Sequence, residues 1–359
     1  MYHPLDKTLP SLNGLRGFAA LMVLVSHSAN AGMLPEILGE GMGQVGVCLF
    51  YALSGFLMAH VTFGREMTRD SVGSYMLARL SRVLPLFYLL VFLNTLLFLA
   101  LGEAFYSFDT LGDVAGNWLL LRGSGVFWSI PIEIHFYLLF LAIWWAQGKG
   151  LLLSMLAALM GLALLAMPLL KSGLGDTRTL AFWLHFFLIG VLVRWLLDTG
   201  ARNLLPRADS RAAPAGPGLI ALSWGVFALL LLTPPQIRAA LGLRDYPNPF
   251  DAFVIALLPV LMWFTLRAAG PFRLFSGRLL TWFGQISFSL YLLHAPFLTI
   301  VNRLDLTAHL PPLLCFALFL ACATGAAALS FRLVERPAQA WLRGSRRHPG
   351  KRTAPAPSA

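Results

Sequence analysis

The stretch NGLRGFAALMVLVSHS, residues 13–28, carries an arginine and a histidine inside an otherwise apolar run. Arg16 and His27 are eleven positions apart, which in one α-helix is about three turns and about 16 Å along the axis. Both side chains therefore lie on nearly the same face. Alone, such a histidine often makes an interhelical hydrogen bond, and such an arginine often snorkels to lipid phosphates. Together on one face of a membrane helix, they indicate a functional pathway.

The composition of the whole chain indicates that this helix lies in a membrane. Of the 359 residues, 58% are hydrophobic and 12% are charged, and the mean hydropathy is +0.72. A soluble protein of this length could not hide so much apolar surface, so we predict an all-α, polytopic membrane protein. About ten runs have the length of a membrane span. They lie at approximately 13–30, 44–63, 83–101, 127–146, 150–170, 179–197, 219–233, 250–267, 284–302 and 312–334.

The basic residues predict the orientation of these helices. With the N-terminus in the cytoplasm, 21 of the 27 Lys and Arg residues fall on the cytoplasmic side, so both termini are expected there. This bias accounts for the net charge of +11 without a nucleic-acid partner. We expect one membrane-embedded domain over residues 1–342 and a basic, disordered cytoplasmic tail at 343–359. The histidines are scattered without ligand spacing, so no metal site is predicted.

Further polar residues lie in or beside the predicted spans. Arg79 and Arg82 are three residues apart at the cytoplasmic entry of the third span, where guanidinium groups suit the phosphates of a cytosolic ligand. The general excess of basic residues at the cytoplasmic ends of membrane spans explains these two arginines equally well. Pro85 fits the first turns of that helix, where proline is tolerated. Glu133 lies about five residues into the fourth span, where a carboxylate needs a partner or water.

The motif ISFSLYLLHAPFL, residues 286–298, places a polar stripe on the ninth span. Ser287, Tyr291 and His294 follow one another at spacings of four and three residues, so they share one face of a helix. The rest of the helix is largely apolar. We expect the stripe to face the interior of the helix bundle.

Two more motifs are open to more than one interpretation. In FRLVERPAQ, Glu335 either pairs with Arg332, three residues earlier, or faces a cavity open to the cytosol. In GVCLFYALSGFLMAH, Gly46, Ser54 and Gly55 are small residues that permit close contact between helices. Ser54 lacks the surrounding pattern of an activated serine nucleophile, so we assign it to packing.

These motifs resemble, in order, those of the acyltransferase-3 family of bacterial integral membrane acyltransferases. LRGFAALMVLVSHS resembles the family's Arg-x10-His signature, GVCLFYALSGFLM its G-V-x-x-F-F-x-L-S-G-F motif, and RLSRVLPLFY its R-x-x-R-x-x-P element. FWSIPIEIHFY is similar to W-S-L-x-x-E-x-x-F-Y, ISFSLYLLHAP to I-S-Y-x-x-Y-L-x-H-x-P, and VERP to the terminal E-x-P. The resemblance covers most of residues 10–340. Cys48 and Phe288 depart from it, because family members often carry Asp and Tyr there.

The resemblance implies transfer of an acyl group, usually acetyl, from cytosolic acyl-CoA to a hydroxyl of a glycan or lipid-linked sugar. It implies a protein of the bacterial inner membrane. Several relatives carry an additional extracytoplasmic esterase-like domain, and this chain resembles the stand-alone form. The pair that is essential in the family corresponds to Arg16 and His27.

The roles of individual residues are hypotheses at this point. We expect His27 to be the general base, and Arg16 to bind the CoA pyrophosphate or steer the thioester. The other expected roles are a clamp on CoA phosphates for Arg79 and Arg82, orientation of histidine or acceptor for Glu133 or Glu335, and lining of the acceptor path for Tyr291 and His294. Direct transfer and a transient acyl-histidine both fit.

Two functions of other classes stay open. A proton-coupled transporter or flippase could use the same intramembrane pair, and a structural subunit of a membrane complex would need neither residue. The cytosolic arginines and the lack of an internal repeat favour the enzyme, since many transporters contain repeated halves.

Overall fold

The computed structural model describes residues 9–39, 41–170, 172, 176–199, 216–242 and 251–344. This part of the chain is helical and contains no β-strand, which confirms the predicted all-α class. Its α-helices are α1 (Pro10–Asn30), α2 (Met42–Thr62), α3 (Arg69–Leu101), α4 (Leu111–Trp118), α5 (Ser129–Gly148), α6 (Leu152–Leu169), α7 (Leu180–Thr199), α8 (Pro217–Leu229), α9 (Pro235–Ala240), α10 (Ala252–Arg267), α11 (Arg278–Arg303), α12 (Leu306–His309), α13 (Pro312–Ser330) and α14 (Arg336–Gly344).

Each of the ten predicted apolar segments overlaps one of the longer described helices. Among the described residues, seven helices are long and apolar enough to cross a membrane. An eighth span results if α10 and the 3₁₀ segment Gly270–Ser276, which meet at 76°, are counted as one. Helix α1 is not among the seven, because its arginine, histidine and serines lower its mean hydropathy. The chain is therefore a multi-pass membrane protein.

Helix α3 begins at Arg69, and not at residue 83 as predicted. A capping box sets this start: the Thr68 hydroxyl accepts the backbone N–H of Ser71, and the Ser71 hydroxyl accepts the backbone N–H of Thr68. The prediction that Pro85 lies in the first turns is therefore wrong, because it sits in the interior of α3. The two arginines of this motif likewise lie inside a long helix and not at its start.

Helices α1 and α11 approach each other closely through glycine. A Cβ atom added to Gly284 of α11 would lie 1.8 Å from the carbonyl oxygen of Asn13 in α1. One added to Gly17 of α1 would lie 2.3 Å from a carbonyl oxygen of α11. Without side chains at these points the two backbones can touch, which is how small residues promote packing of membrane helices. The helix of Arg16 and His27 is thereby held against the helix of the polar stripe.

Helix α2 packs between α1 and α7 through the glycines that the sequence singles out. A Cβ atom on Gly46 would lie 2.6 Å from the carbonyl oxygen of Ala19 in α1. One on Gly55 would lie 2.1 Å from the carbonyl oxygen of Phe187 in α7. The prediction of close helix contact at these two glycines is confirmed.

The segment between α3 and α5 is attached to α11. The Asn94 side-chain oxygen in α3 accepts the backbone N–H groups of Phe105 and Tyr106, at 2.9 and 3.2 Å. The Tyr106 hydroxyl in turn donates to the carbonyl oxygen of Leu292 in α11, at 3.1 Å. Pro296, four residues later, has no N–H for that carbonyl. The tyrosine therefore replaces a helical hydrogen bond that the proline removes.

The C-terminal helix lies against α3. A π-helical turn, Phe331–Glu335, joins α13 to α14, and the Arg343 guanidinium of α14 donates to the carbonyl oxygen of Ala78, at 3.1 Å. The predicted tail at 343–359 starts within α14, and its residues from 345 onward lie outside the part of the chain that the structure describes. Insertions of the π type often occur at functional sites, and this one carries Glu335.

Candidate active site

Three adjoining cavities run through the bundle from Arg16 to His27. We call them the basic, the central and the histidine cavity, and their volumes are about 340, 50 and 690 Å³. The basic and central cavities share Arg16 and Arg82 in their walls. The central and histidine cavities share Val47 and Tyr291. The two ionisable residues of α1 thus belong to opposite ends of one row of cavities.

The basic cavity contains three guanidinium groups and one carboxylate. Arg16 and Arg82 are half-buried, Arg336 is exposed, and Glu335 is buried. A hydroxyl from α11, that of Ser289, donates to Glu335 Oε1. The lining residues are Asn13, Arg16, Arg82, Gly284, Gln285, Phe331, Glu335, Arg336 and Gln339. Of the two interpretations of Glu335, the structure agrees with the one in which it faces a cavity. Arg332 is exposed, and Glu335 accepts a hydrogen bond from a side chain of α11.

The central cavity brings Glu133 together with Arg16 and Arg82. Glu133 Oε1 accepts hydrogen bonds from the Ser54 hydroxyl at 3.0 Å and from the Tyr137 hydroxyl at 2.6 Å. Ser54 therefore does more than pack, which the sequence does not reveal. The cavity is lined by Arg16, Val47, Phe50, Tyr51, Ser54, Arg82, Val83, Ser129, Ile130, Glu133, Ser287, Phe288 and Tyr291. A carboxylate with two hydroxyl donors here faces the same space as two guanidinium groups.

The histidine cavity is lined mainly by aromatic rings, amides and hydroxyls. Trp128 and Trp183 pack together with ring centroids 4.9 Å apart. Arg178, which is exposed, is the one arginine or lysine among the described lining residues. The polar and aromatic members are His27, Asn30, Gln44, Phe105, Tyr106, Ser107, Trp128, Thr177, Arg178, Trp183, Tyr291, Thr299 and Asn302. Rings combined with amides and hydroxyls can bind a polar, uncharged ligand by stacking and hydrogen bonding.

His27 is hydrogen-bonded to a second histidine. Its Nδ1 lies 2.7 Å from Nε2 of His294, and the two rings stack with centroids 5.0 Å apart. His294 is fully buried, whereas His27 is partly exposed and forms part of the cavity wall. Tyr291 and Ser287 are buried on the same helix, so the prediction that the stripe faces the bundle interior is confirmed. Of the two residues predicted to line the acceptor path, Tyr291 lies on the wall and His294 lies behind His27.

Arg79 does not share these cavities. It lines a separate cavity of about 410 Å³ between α2, α3 and α5, together with Arg65, Asp70 and Trp144. Arg82, one turn later on α3, faces the basic and central cavities. The structure therefore brings only one arginine of the predicted pair together with Arg16.

Several polar residues of the site are not predicted from the sequence. Arg336 directly follows Glu335 in the VERP motif, but in the sequence it cannot be told apart from the other basic residues beside the last span. Gln44 and Asn302 come from the ends of different helices, and their meeting depends on the tertiary fold. Ser289 lies two residues from both Ser287 and Tyr291, outside the predicted stripe, and bonds to Glu335.

The fold and the site together define a multi-pass helical membrane protein whose interior links a group of arginines to a histidine pair. The sequence model of the acyltransferase-3 family, described as an acyltransferase domain, matches residues 9–332. Because this is most of the chain, the protein belongs to that family. No solved structure was found that matches it.

Similarity to curated relatives supports the same family. The chain is 25% identical to the peptidoglycan O-acetyltransferase OatA of Listeria monocytogenes, over 92% of this chain and 56% of the relative. It is 24% identical to the putative peptidoglycan O-acetyltransferase YrhL of Bacillus subtilis, over 82% and 50%. With the acyltransferase MdmB of Streptomyces mycarofaciens it shares 25% identity, over 80% and 78%. The chain therefore spans about half the length of the first two relatives.

Proposed function

We propose that the protein is an O-acyltransferase of the bacterial inner membrane. It transfers an acyl group, most simply acetyl, from cytosolic acyl-CoA to a hydroxyl of a glycan or lipid-linked sugar. In this proposal about ten helices span the bilayer and both termini are cytoplasmic, so the basic cavity opens toward the cytosol. The observation that carries the proposal is the row of cavities that joins the arginines to His27.

The basic cavity suits the donor. Guanidinium groups bind phosphates in a bidentate manner, and CoA is a polyanion with a pyrophosphate. Arg82 is half-buried and so partly shielded from water, which strengthens such a contact. Arg336, at the exposed rim, would meet the same anion first. In this assignment the pantetheine arm of CoA runs from the basic cavity into the narrow central cavity.

The central cavity suits the thioester. Only about 50 Å³ is open there, which admits a thin chain and excludes a sugar ring. Arg16 faces this space and can stabilise negative charge that develops on the thioester carbonyl oxygen. Glu133, held by Ser54 and Tyr137, balances the two guanidinium groups. The site thus offers positive charge for the oxyanion without a large excess of buried cations.

His27 suits the proton transfer. The acceptor hydroxyl gives its proton to His27 Nε2 while its oxygen attacks the thioester carbonyl carbon. The carbon–sulfur bond then breaks, and the CoA sulfur takes the proton from the imidazolium to leave as a thiol. A positioned base of this kind contributes about 10²- to 10⁴-fold to a rate. This direct transfer uses one histidine for both proton steps.

The histidine cavity suits the acceptor. Its volume of about 690 Å³ is large enough for a sugar unit, and its rings, amides and hydroxyls match a carbohydrate. Two of the relatives are named as peptidoglycan O-acetyltransferases, one of them putatively, which supports a saccharide acceptor for this chain as well.

The test measures transfer from radiolabelled acetyl-CoA in membranes that contain the full chain, with extracted cell-surface glycan and lipid-linked saccharides as acceptor. His27→Ala is expected to lower the rate about 10³-fold, and Arg16→Lys about 10²-fold, because lysine lacks the guanidinium fork. His309→Ala and Arg278→Lys are matched controls at exposed positions outside the three cavities, and both should retain wild-type activity.

Wild-type transfer by His27→Ala would overturn the assignment of the base. Movement of a labelled saccharide across proteoliposomes without consumption of acetyl-CoA would support the transporter in place of the enzyme. A thermal shift of the purified protein on addition of acetyl-CoA, reduced in Arg16→Lys, is expected from binding alone and separates donor binding from chemistry.

A further inference from the structure

We infer that His294 is a positioning residue that fixes the tautomer of His27, so that Nε2 of His27 is the nitrogen that accepts the proton. The inference rests on the proposed function, in which His27 is the general base. It assigns to His294 a task different from the contact with the acceptor that the sequence predicts.

The argument starts at the backbone of α11. Nδ1 of His294 lies 3.3 Å from the carbonyl oxygen of Leu290, one turn earlier. A carbonyl oxygen can only accept a hydrogen bond, so Nδ1 of His294 must carry the proton. In a neutral imidazole the other nitrogen then has a free lone pair. Nε2 of His294 is therefore an acceptor.

The same logic passes to the second ring. Nε2 of His294 is 2.7 Å from Nδ1 of His27, a distance that requires one proton between them. Because Nε2 of His294 supplies the lone pair, Nδ1 of His27 supplies the proton. The remaining nitrogen of His27, Nε2, is thus unprotonated. A chain of carbonyl, His294 and His27 sets the tautomer that a general base needs.

The other protonation states are less favourable. If His27 accepted from His294, the lone pair on Nδ1 of His294 would face the lone pairs of the Leu290 carbonyl. If His294 were a cation, a charge would be fully buried between two groups, Leu290 O and His27, that carry no negative charge. Burying a charge without such compensation is costly.

The fold holds the two rings in register. The backbone contacts at Gly17 and Gly284 fix the separation of α1 and α11. The hydrogen bond from Tyr106 to Leu292 holds α11 at the turn that carries His294. Full burial of His294 then leaves its ring little freedom. When His27 takes up a proton during the reaction, its Nδ1–H bond to His294 becomes charge-assisted and stronger.

The kinetic test compares three variants of the full chain in membranes. His294→Phe keeps a ring and removes the acceptor for Nδ1 of His27, so kcat should fall about 10²-fold while KM for acyl-CoA and acceptor stays within about twofold. His294→Gln offers a side-chain oxygen to the same N–H, so it should recover at least about tenfold of the kcat lost in His294→Phe. His185→Phe replaces another buried histidine, on α7, and is the matched control for packing.

An unchanged kcat with a raised acceptor KM in His294→Phe would overturn the inference and favour a substrate contact. Equal loss in the Phe and Gln variants would also overturn it. If His27→Ala keeps full activity, the proposed function fails, whereas full activity of His294→Phe beside an inactive His27→Ala leaves that function intact.

A spectroscopic measurement tests the tautomer without any change at His294. In ¹⁵N NMR of the protein labelled at histidine, the signals of His27 are those lost in His27→Ala. The expected pattern is a protonated Nδ1 and an unprotonated Nε2. The reverse pattern would refute the inference even if His294→Phe did not fold.

Discussion

Helix α1 contributes residues to the walls of both the basic cavity and the histidine cavity. The two cavities differ in the kind of polar group that lines them. The basic cavity has three guanidinium groups and a buried carboxylate, Glu335, whereas the histidine cavity has mostly neutral amides, hydroxyls and rings. Charge is therefore concentrated at one end and hydrogen-bonding capacity at the other. A polyanionic donor and a neutral acceptor would each find a matching end, and the central cavity, of about 50 Å³, lies between these ends.

The strongest test of this difference compares two arginines on one helix. Arg82 lines the basic cavity, and Arg79 lines a separate cavity. Arg82→Ala is expected to lower kcat/KM for acyl-CoA about 10²-fold, because in the proposed function it removes a half-buried contact with a CoA phosphate, while Arg79→Ala changes it less than about threefold. Steady-state kinetics at varied acyl-CoA concentration measure both.

Each of these two variants is the other's control, since both shorten an arginine of α3. Equal losses would mean that the donor contacts both cavities, and that the division between them has no bearing on binding. The kcat/KM for the acceptor serves as a second readout. In Arg82→Ala it should fall no more than the kcat/KM for acyl-CoA falls.

The second test removes the negative charge from the central cavity. Glu133→Gln keeps a carbonyl oxygen that can accept from both Ser54 and Tyr137, so the geometry is retained. We expect kcat to fall about tenfold, because Arg16 and Arg82 lose the carboxylate that faces them and are held less firmly toward the thioester of the proposed reaction. Single-turnover kinetics measure the chemical step directly.

Leu138→Ala is a suitable control for this variant, because it changes an exposed side chain on the same helix. If Glu133→Gln retains the wild-type single-turnover rate, Glu133 serves to order Ser54 and Tyr137 and its charge takes no part in transfer.

The sequence predicts the helices and the residues of the site better than it predicts their partners. Apolar runs of spanning length mark the helices, and spacing on one helix shows that Ser287, Tyr291 and His294 share a face. Both are properties of a single segment. Hydrogen bonds such as that between His27 and His294 join residues far apart in the chain, so the periodicity of a single segment cannot predict them.

The start of α3 shows a second limit. The apolar run begins near residue 83, but the capping box at Thr68 starts the helix earlier, in a stretch that hydropathy alone treats as a loop. Arg79 and Arg82, three residues apart in the interior of this helix, line different cavities. Which of them meets Arg16 depends on how α3 packs, and no property of the motif itself decides it.

The last test concerns how the neutral end is built. The residues that line the basic cavity all lie in helical segments, whereas the histidine cavity takes Phe105 and Tyr106 from the segment between α3 and α5. Tyr106→Phe leaves the Leu292 carbonyl without its donor, at a turn where Pro296 has already removed the helical one. We expect a loss of about 1 kcal/mol, seen as a Tm lower by about 2 °C in detergent.

The same variant should lower kcat no more than about threefold, since α11 remains packed on α1 and the histidine pair persists. Tyr88→Phe removes a similar bond, from the Tyr88 hydroxyl to the Trp118 carbonyl at 3.2 Å, on the exposed side of α3. That bond does not reach the packed pair of α1 and α11, so the Tm of Tyr88→Phe should change less. If Tyr88→Phe proves the more damaging of the two, the segment over the histidine cavity is held by α3 and not by α11.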